Sequence, residues 1–167
     1  FDQLYLIILQ TQSKEWVYEL SVYAKLLNMD LKDIVLVNVS YELFCTSIIV
    51  RKDGELFMGR NLDWSDGDIL NELAYEGYYY KNGKLQYVGQ SFAGYNAFLN
   101  ASKGYLTFSI NQRYEDEYMN MERVIQGLPP TPYALKKIFI ESGSYSEAVH
   151  AYSTEMFARS EEHTSEL

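Results

Sequence analysis

The hydrophobic period of this chain changes twice, and that change constrains its fold more than any other feature. Over residues 14–28, Trp16, Leu20, Tyr23 and Leu27 fall on one helical stripe. The chain already opens at Phe1 inside an apolar helical pattern. Asp30 reads as an N-cap for a helix over residues 31–39, although Ile34-Val35-Leu36-Val37 fits a strand equally well. Residues 45–50 then form a β-rich run, and Lys52-Asp53-Gly54 supplies a tight turn returning through residues 56–61. Asn82-Gly83 joins residues 75–80 to 85–92 in a second hairpin, and residues 105–111 alternate as a fifth strand. Helical spacing returns over residues 118–126, ended by Gly127 and Pro129-Pro130, and again over residues 133–141. Ser144 and Glu147 make a capping box for a last helix through His150. Helices, then hairpins, then helices predict a layered α+β domain.

Composition narrows the chemistry. The 167 residues carry a net charge of −9, one Cys and two His. One thiol excludes an intrachain disulfide framework. One Cys and two His are too few for a four-ligand structural zinc site, so no metal is expected. The acidic balance argues against a nucleic-acid partner. No apolar run approaches the roughly 18–20 residues of a membrane helix. Residues 159–167 have no hydrophobic period and resemble the translation of a sequencing adapter, so they are expected to be a non-native tail. Asn38-Val39-Ser40 and Asn100-Ala101-Ser102 are glycosylation sequons; Asn38 is expected on a buried element, which leaves Asn100 as the candidate.

The single Cys45 admits three readings. It can be an inert, buried small hydrophobe. It can be a thiolate paired with His150, the one histidine outside the expected tail. Or the peptide bond before it can be cut, leaving an α-amine of pKa ~7.7–8.0 beside the thiol as a general base. For the third reading, the hairpin returns Arg60 and Asp63 toward Cys45. There Asp63 would hold the ammonium and Arg60 would stabilise thiolate or substrate oxygen. A solvated ion pair at a strand end fits the same spacing.

Cys45-Thr46-Ser47-Ile48-Ile49-Val50 followed by Gly59-Arg60-Asn61-Leu62-Asp63-Trp64 resembles the acid ceramidase and N-acylethanolamine acid amidase family. Asn38 with Tyr41-Glu42-Leu43, Ser91-Phe92-Ala93-Gly94-Tyr95 and Ser109-Ile110-Asn111-Gln112-Arg113 match further family segments in the same order. The resemblance implies a partial αββα sandwich of the N-terminal nucleophile hydrolases, α+β in class and truncated toward the C-terminus. It implies an α-subunit-like segment over residues 1–44 and the first part of a catalytic β-subunit over 45–158. Self-cleavage would fall between Phe44 and Cys45, and an α/β-subunit heterodimer would result. Cys45 would be the nucleophile, with Arg60 and Asp63 as its polar partners. Gln112 stands where the family has a Glu associated with the oxyanion hole. The family's other oxyanion group, an Asn, has no counterpart, because no Asn follows Asn120.

The implied substrate is a fatty-acid amide in a lysosomal or secreted setting. Ser91-Phe92-Ala93-Gly94-Tyr95 and Tyr41-Glu42-Leu43-Phe44 look closer to acid ceramidase, which puts ceramide first, with an N-acylethanolamine as the alternative. No cofactor is implied, and a small lipid-presenting activator protein is a possible partner. A choloylglycine hydrolase or penicillin V acylase type, and a non-catalytic lipid-binding relative, are the competing readings. The Cys45-to-Arg60 loop is one residue shorter than in the family, and the segment before Cys45 about two. The 167-residue chain is expected to be an inactive fragment.

Overall fold

The computed structural model describes residues 2–39, 44–63, 67–111 and 117–158. Their elements run α1 (Asp2–Thr11), α2 (Lys14–Leu27), α3 (Leu31–Val39), β1 (Phe44–Lys52), β2 (Glu55–Asp63), α4 (Gly67–Leu73), β3 (Ala74–Lys81), β4 (Lys84–Phe92), β5 (Asn100–Lys103), β6 (Leu106–Ser109), α5 (Glu117–Ile125), α6 (Thr131–Glu141) and α7 (Tyr145–Thr154). The α+β class read from the sequence is the class observed. Residues 34–37 are helical, so the strand alternative falls away. Two elements were not expected, α4 and β5, and β5 makes the 100–109 region a third hairpin. Residues 159–167 lie outside the described residues.

The described chain divides into two units. One is helical, built from α1–α3, α5–α7 and the segment Gly94–Ala97. The stripe on α2 works as its spacing requires: Trp16, Leu20 and Ala24 are buried, and they join Ile8, Ile34, Val35, Val124 and Tyr133 in one core. Each large aliphatic or aromatic side chain removed from water there contributes roughly 1.5–3 kcal/mol. The Trp16 and Tyr133 rings meet edge to face at 6.4 Å between centroids. Phe157 and Ala158 are also buried.

Helix ends follow their local chemistry. Ser13 caps α2 by accepting from the Trp16 N–H at 3.2 Å. Gly127 closes α5 at φ +96°, where its N–H donates to the Val124 carbonyl and the Leu128 N–H to that of Arg123. At α7 the Glu147 N–H donates to Ser144 Oγ, while the Glu147 carboxylate accepts from the Gly143 N–H.

The other unit is β-rich. It holds a two-stranded sheet, β1–β2, and a four-stranded antiparallel sheet ordered β3-β4-β5-β6. Both expected turns have two successive residues at positive φ: Asp53 at 53° with Gly54 at 88°, and Asn82 at 51° with Gly83 at 75°. That is the demand of a two-residue type I′ hairpin, and it explains why Asp-Gly and Asn-Gly stand there. On one side of the larger sheet Tyr79 stacks on Tyr87 at 4.6 Å, and Phe98 lies edge-on to Tyr79 at 5.5 Å. Gly89 makes room for that ring, since a Cβ there would come within 2.7 Å of Phe98. Tyr79 and Tyr87 pack across the strands, whereas Tyr75, Tyr78 and Tyr80 are exposed.

Candidate active site

The β1–β2 hairpin carries the residues singled out by the sequence. β-Branched Thr46, Ile48, Ile49 and Val50 favour the extended backbone, and the Asp53-Gly54 turn fixes the register. In that register Phe44 stands opposite Asp63, Cys45 opposite Leu62, and Ser47 opposite Arg60. The peptide bond between Phe44 and Cys45 therefore runs beside the Leu62-Asp63 step of the returning strand. Cys45 and Arg60 occupy diagonal register positions, a separation of roughly 7–8 Å between such neighbours in antiparallel sheets. Gln112 lies outside the described residues, as do Tyr41, Glu42 and Leu43.

Around this hairpin the structure shows an arrangement that the sequence reading missed. Arg60 Nε donates to the Ile110 carbonyl at 2.9 Å. Its cross-strand partner Ser47 meets the next residue, Asn111, whose Nδ2 donates to Ser47 Oγ at 2.9 Å. Ser47 Oγ also lies 3.2 Å from Ser109 Oγ. From there a row of registered side chains crosses the larger sheet. Ser109 Oγ donates to Asn100 Oδ1 at 3.0 Å, Asn100 Nδ2 to Gln90 Oε1 at 2.9 Å, and Gln90 Nε2 to Glu76 Oε2 at 3.2 Å. Glu76 also accepts from the Tyr78 hydroxyl. That hydroxyl first, and the Gln90 amide second, hold the Glu76 carboxyl below its ordinary value. The same hydrogen bond to an acceptor carboxylate pushes the Tyr78 phenol up. The missing signal was β5: without it the register joining Gln90, Asn100 and Ser109 cannot be written.

Proteins of known function share this chain. The N-acylethanolamine-hydrolyzing acid amidase of Mus musculus is 34% identical over 131 residues, covering 74% of this chain and 36% of that protein. The acid ceramidase of Bos taurus is 28% identical over 151 residues, covering 77% of this chain and 38% of its own length. Among solved structures, a Caenorhabditis elegans N-acylethanolamine-hydrolyzing acid amidase ortholog matches 68% of this chain and 50% of its own, with TM-score 0.58 and 27% identity.

The chain is a homologue of the acid amidases and acid ceramidases. No family model matches it. It spans little more than a third of the length of those relatives. The expected fold, an α+β architecture covering part of an N-terminal nucleophile hydrolase, is the one it shares with the amidase structure.

The segments behind the family resemblance have distinct positions. Asn38 is buried on α3, as expected. Its Nδ2 donates to the Ile34 and Gly94 carbonyls at 2.8 and 2.7 Å, and its Oδ1 accepts from the Asn96 N–H at 2.6 Å. Asn96 in turn donates to Glu19 Oε2 at 2.6 Å and accepts from Lys136 Nζ, which also pairs with Glu19 at 3.0 Å. This network holds Gly94–Ala97 against the helices of its own unit.

Asn100 is half-buried inside β5, with both ends of its amide engaged. A glycan on Nδ2 would have to share that atom with Gln90. His150 sits on α7 in the helical unit, and its carbonyl accepts from Ser153 and Thr154. Among the described residues no group of His, Cys, Asp and Glu is arranged to hold a metal ion, and no helix is long and apolar enough to cross a membrane.

Proposed function

We propose that this chain is part of a longer precursor of a fatty-acid amide hydrolase whose nucleophile is Cys45, exposed by cleavage after Phe44. The observation that supports the reading is the β1–β2 register, in which Leu62 and Asp63 oppose Cys45 and Phe44 and Arg60 returns two residues away. In this reading the Cys45 thiol attacks the Phe44 carbonyl, and the Phe44–Cys45 C–N bond breaks as the nitrogen takes up the thiol proton to become the free α-amine. Water then hydrolyses the resulting thioester to release the Phe44 carboxylate and the Cys45 thiol. Residues 1–44 and 45–158 then belong to the two subunits of a heterodimer.

Amide hydrolysis proceeds in two steps. The α-amine takes the thiol proton as sulfur attacks the acyl carbon. Arg60 and Gln112 stabilise the developing oxyanion, and Asp63 holds the ammonium. The ammonium then gives its proton to the leaving amine as the C–N bond breaks, which leaves an acyl thioester. Water, deprotonated by the same amine, attacks the thioester, and the C–S bond breaks to release the fatty acid. One slow amide cleavage becomes two easier displacements.

The relatives' names supply the substrate class, N-acylethanolamines or ceramides. Amidases match at 30–34% identity and acid ceramidases at 28–32%, ranges that overlap, and the likeness to a solved amidase structure adds weight to the ethanolamides. Lysosomal or secreted placement and a lipid-presenting activator protein belong to the same reading, and activity is assigned to the whole protein rather than to these 167 residues.

Expression of the full-length protein tests it. The expected result is a cut between Phe44 and Cys45 that is absent in Cys45→Ala, and acid-pH hydrolysis of palmitoylethanolamide faster than of ceramide. When the two subunits are produced as separate chains, so that no self-cleavage is needed, Cys45→Ala should lower turnover by on the order of 10³-fold or more. A Cys45→Ala protein that is still split there, or that still hydrolyses the amide, overturns the assignment.

A further inference from the structure

From Ser109 to Glu76 the hydrogen bonds of the sheet-crossing row share one direction. Glu76 is held below its ordinary pKa, and an ionised carboxylate only accepts, so Gln90 must present its NH₂ to it. The Gln90 carbonyl then faces the Asn100 NH₂, which turns the Asn100 carbonyl toward the Ser109 hydroxyl. With its proton committed to Asn100, Ser109 is left to accept. The single Ser47 proton has two acceptors in reach, Asn111 Oδ1 at 3.0 Å and Ser109 Oγ at 3.2 Å, while Ser47 Oγ accepts from Asn111 Nδ2 at 2.9 Å. From Ser109 onward donors point toward Glu76, an arrangement in which every bond polarises the next.

At the other end the row closes on the hairpin at two adjacent residues: Arg60 on the Ile110 carbonyl and Ser47 on the Asn111 side chain. Ser47 and Arg60 are themselves a cross-strand pair. Among the described residues β1–β2 and β3–β6 are separate sheets with no backbone ladder joining them, so side-chain bonds of this kind help to set how the hairpin end is held within its unit.

We infer that Ser47 and Asn111 are positioning residues: together with the Ile110 carbonyl they clamp the Ser47–Arg60 pair and so fix the Arg60 guanidinium at its diagonal place beside Cys45. The inference rests on the amidase reading for the importance of Cys45, but not for its test. Cys45 is the sole thiol of the chain, so the pH dependence of its alkylation by iodoacetamide reports the local field without any turnover.

In the 167-residue chain, Ser47→Ala and Asn111→Ala should move the alkylation midpoint upward by about half a pH unit and slow the reaction at pH 7 about threefold. Arg60→Gln should do the same, and Ser47→Thr, which keeps the hydroxyl, should restore the wild-type profile. Circular dichroism of each variant separates a lost clamp from a lost fold; if either alanine variant unfolds, the comparison of Arg60→Gln with Ser47→Thr carries the test. Folded Ser47→Ala and Asn111→Ala proteins with the wild-type profile overturn the clamp, as does an Arg60→Gln profile that does not move. Amide hydrolysis by the full-length protein alongside unshifted profiles would retain the amidase reading and remove the clamp. Shifted profiles without hydrolysis would do the reverse.

Discussion

Asn38 shows how much one buried amide can do. Its side chain satisfies two carbonyls and one N–H that have little access to water, and each such group left without a partner costs about 1–3 kcal/mol. Asn38→Ala should therefore destabilise the protein by about 2–4 kcal/mol in urea unfolding. Asn38→Asp should cost more, because a carboxylate oxygen would then face the Ile34 and Gly94 carbonyls. Equal stability of the alanine variant and the wild type would show that the network is incidental.

Tyr133 makes a second residue-scale prediction. Burial, then the carboxylates of Glu19 and Glu15, push its phenol up to about 12 from an ordinary value of 10.0. The folded state thus keeps the proton more tightly than the unfolded one. The stabilisation is complete below pH 10 and is lost as pH rises toward 12. Tyr133→Phe should flatten the fall in melting temperature over that window, and an unchanged slope would contradict it. Of these residues, Asn38 was legible as buried because it interrupts an apolar run. Its partner Asn96 was not, because its role depends on a segment 58 positions away.

At the scale of elements, both hairpins were legible because their turns are chemical statements: two positive φ values in a row require Asp-Gly or Asn-Gly. β5 was not. Asn100-Ala101-Ser102-Lys103 has no β-branched or aromatic residue, and its pairing with Gln90 and Ser109 comes from neighbours far along the chain. The polar row, and with it half of the candidate site, was hidden for that reason, whereas Cys45, Arg60 and Asp63 could be read within one hairpin.

Two substitutions test element-level accounts. Asn28 ends α2 at φ 52°, with the Met29 N–H on the Ala24 carbonyl, so Asn28→Gly should stabilise by about 0.5 kcal/mol. Gly89→Ala would press a methyl into the buried Phe98 ring from 2.7 Å and should destabilise by about 1–3 kcal/mol. Denaturant midpoints measure both, and a stabilised Gly89→Ala protein would mean that Phe98 has somewhere else to go.

At the scale of the whole molecule, the described side chains at the turn end of the hairpin that carries Cys45 are largely uncovered. Ile48, Ile49, Val50 and Phe57 are 61%, 64%, 50% and 52% exposed, and because three of them are consecutive, neither face of β1 is buried at that end. A two-stranded ribbon is marginal without a third strand or a packed face. β4 has a neighbour on each side, and Phe92 is buried near its end. Local opening should follow this difference, since few buried contacts mean a low free energy of opening. Amide exchange of the 167-residue chain should therefore be at least about tenfold faster along β1 and β2 than at the β4–β5 pairs. The relatives are nearly three times as long as the matched region, so a precursor of the proposed kind has ample chain to cover such a face. The same β1 and β2 amides should then slow by at least about tenfold in the full-length protein, with β4 and β5 little changed. Equal protection of both sheets in the short chain would show that the contacts within the unit, the Ser47 and Arg60 bonds among them, are enough to hold the strand that carries Cys45.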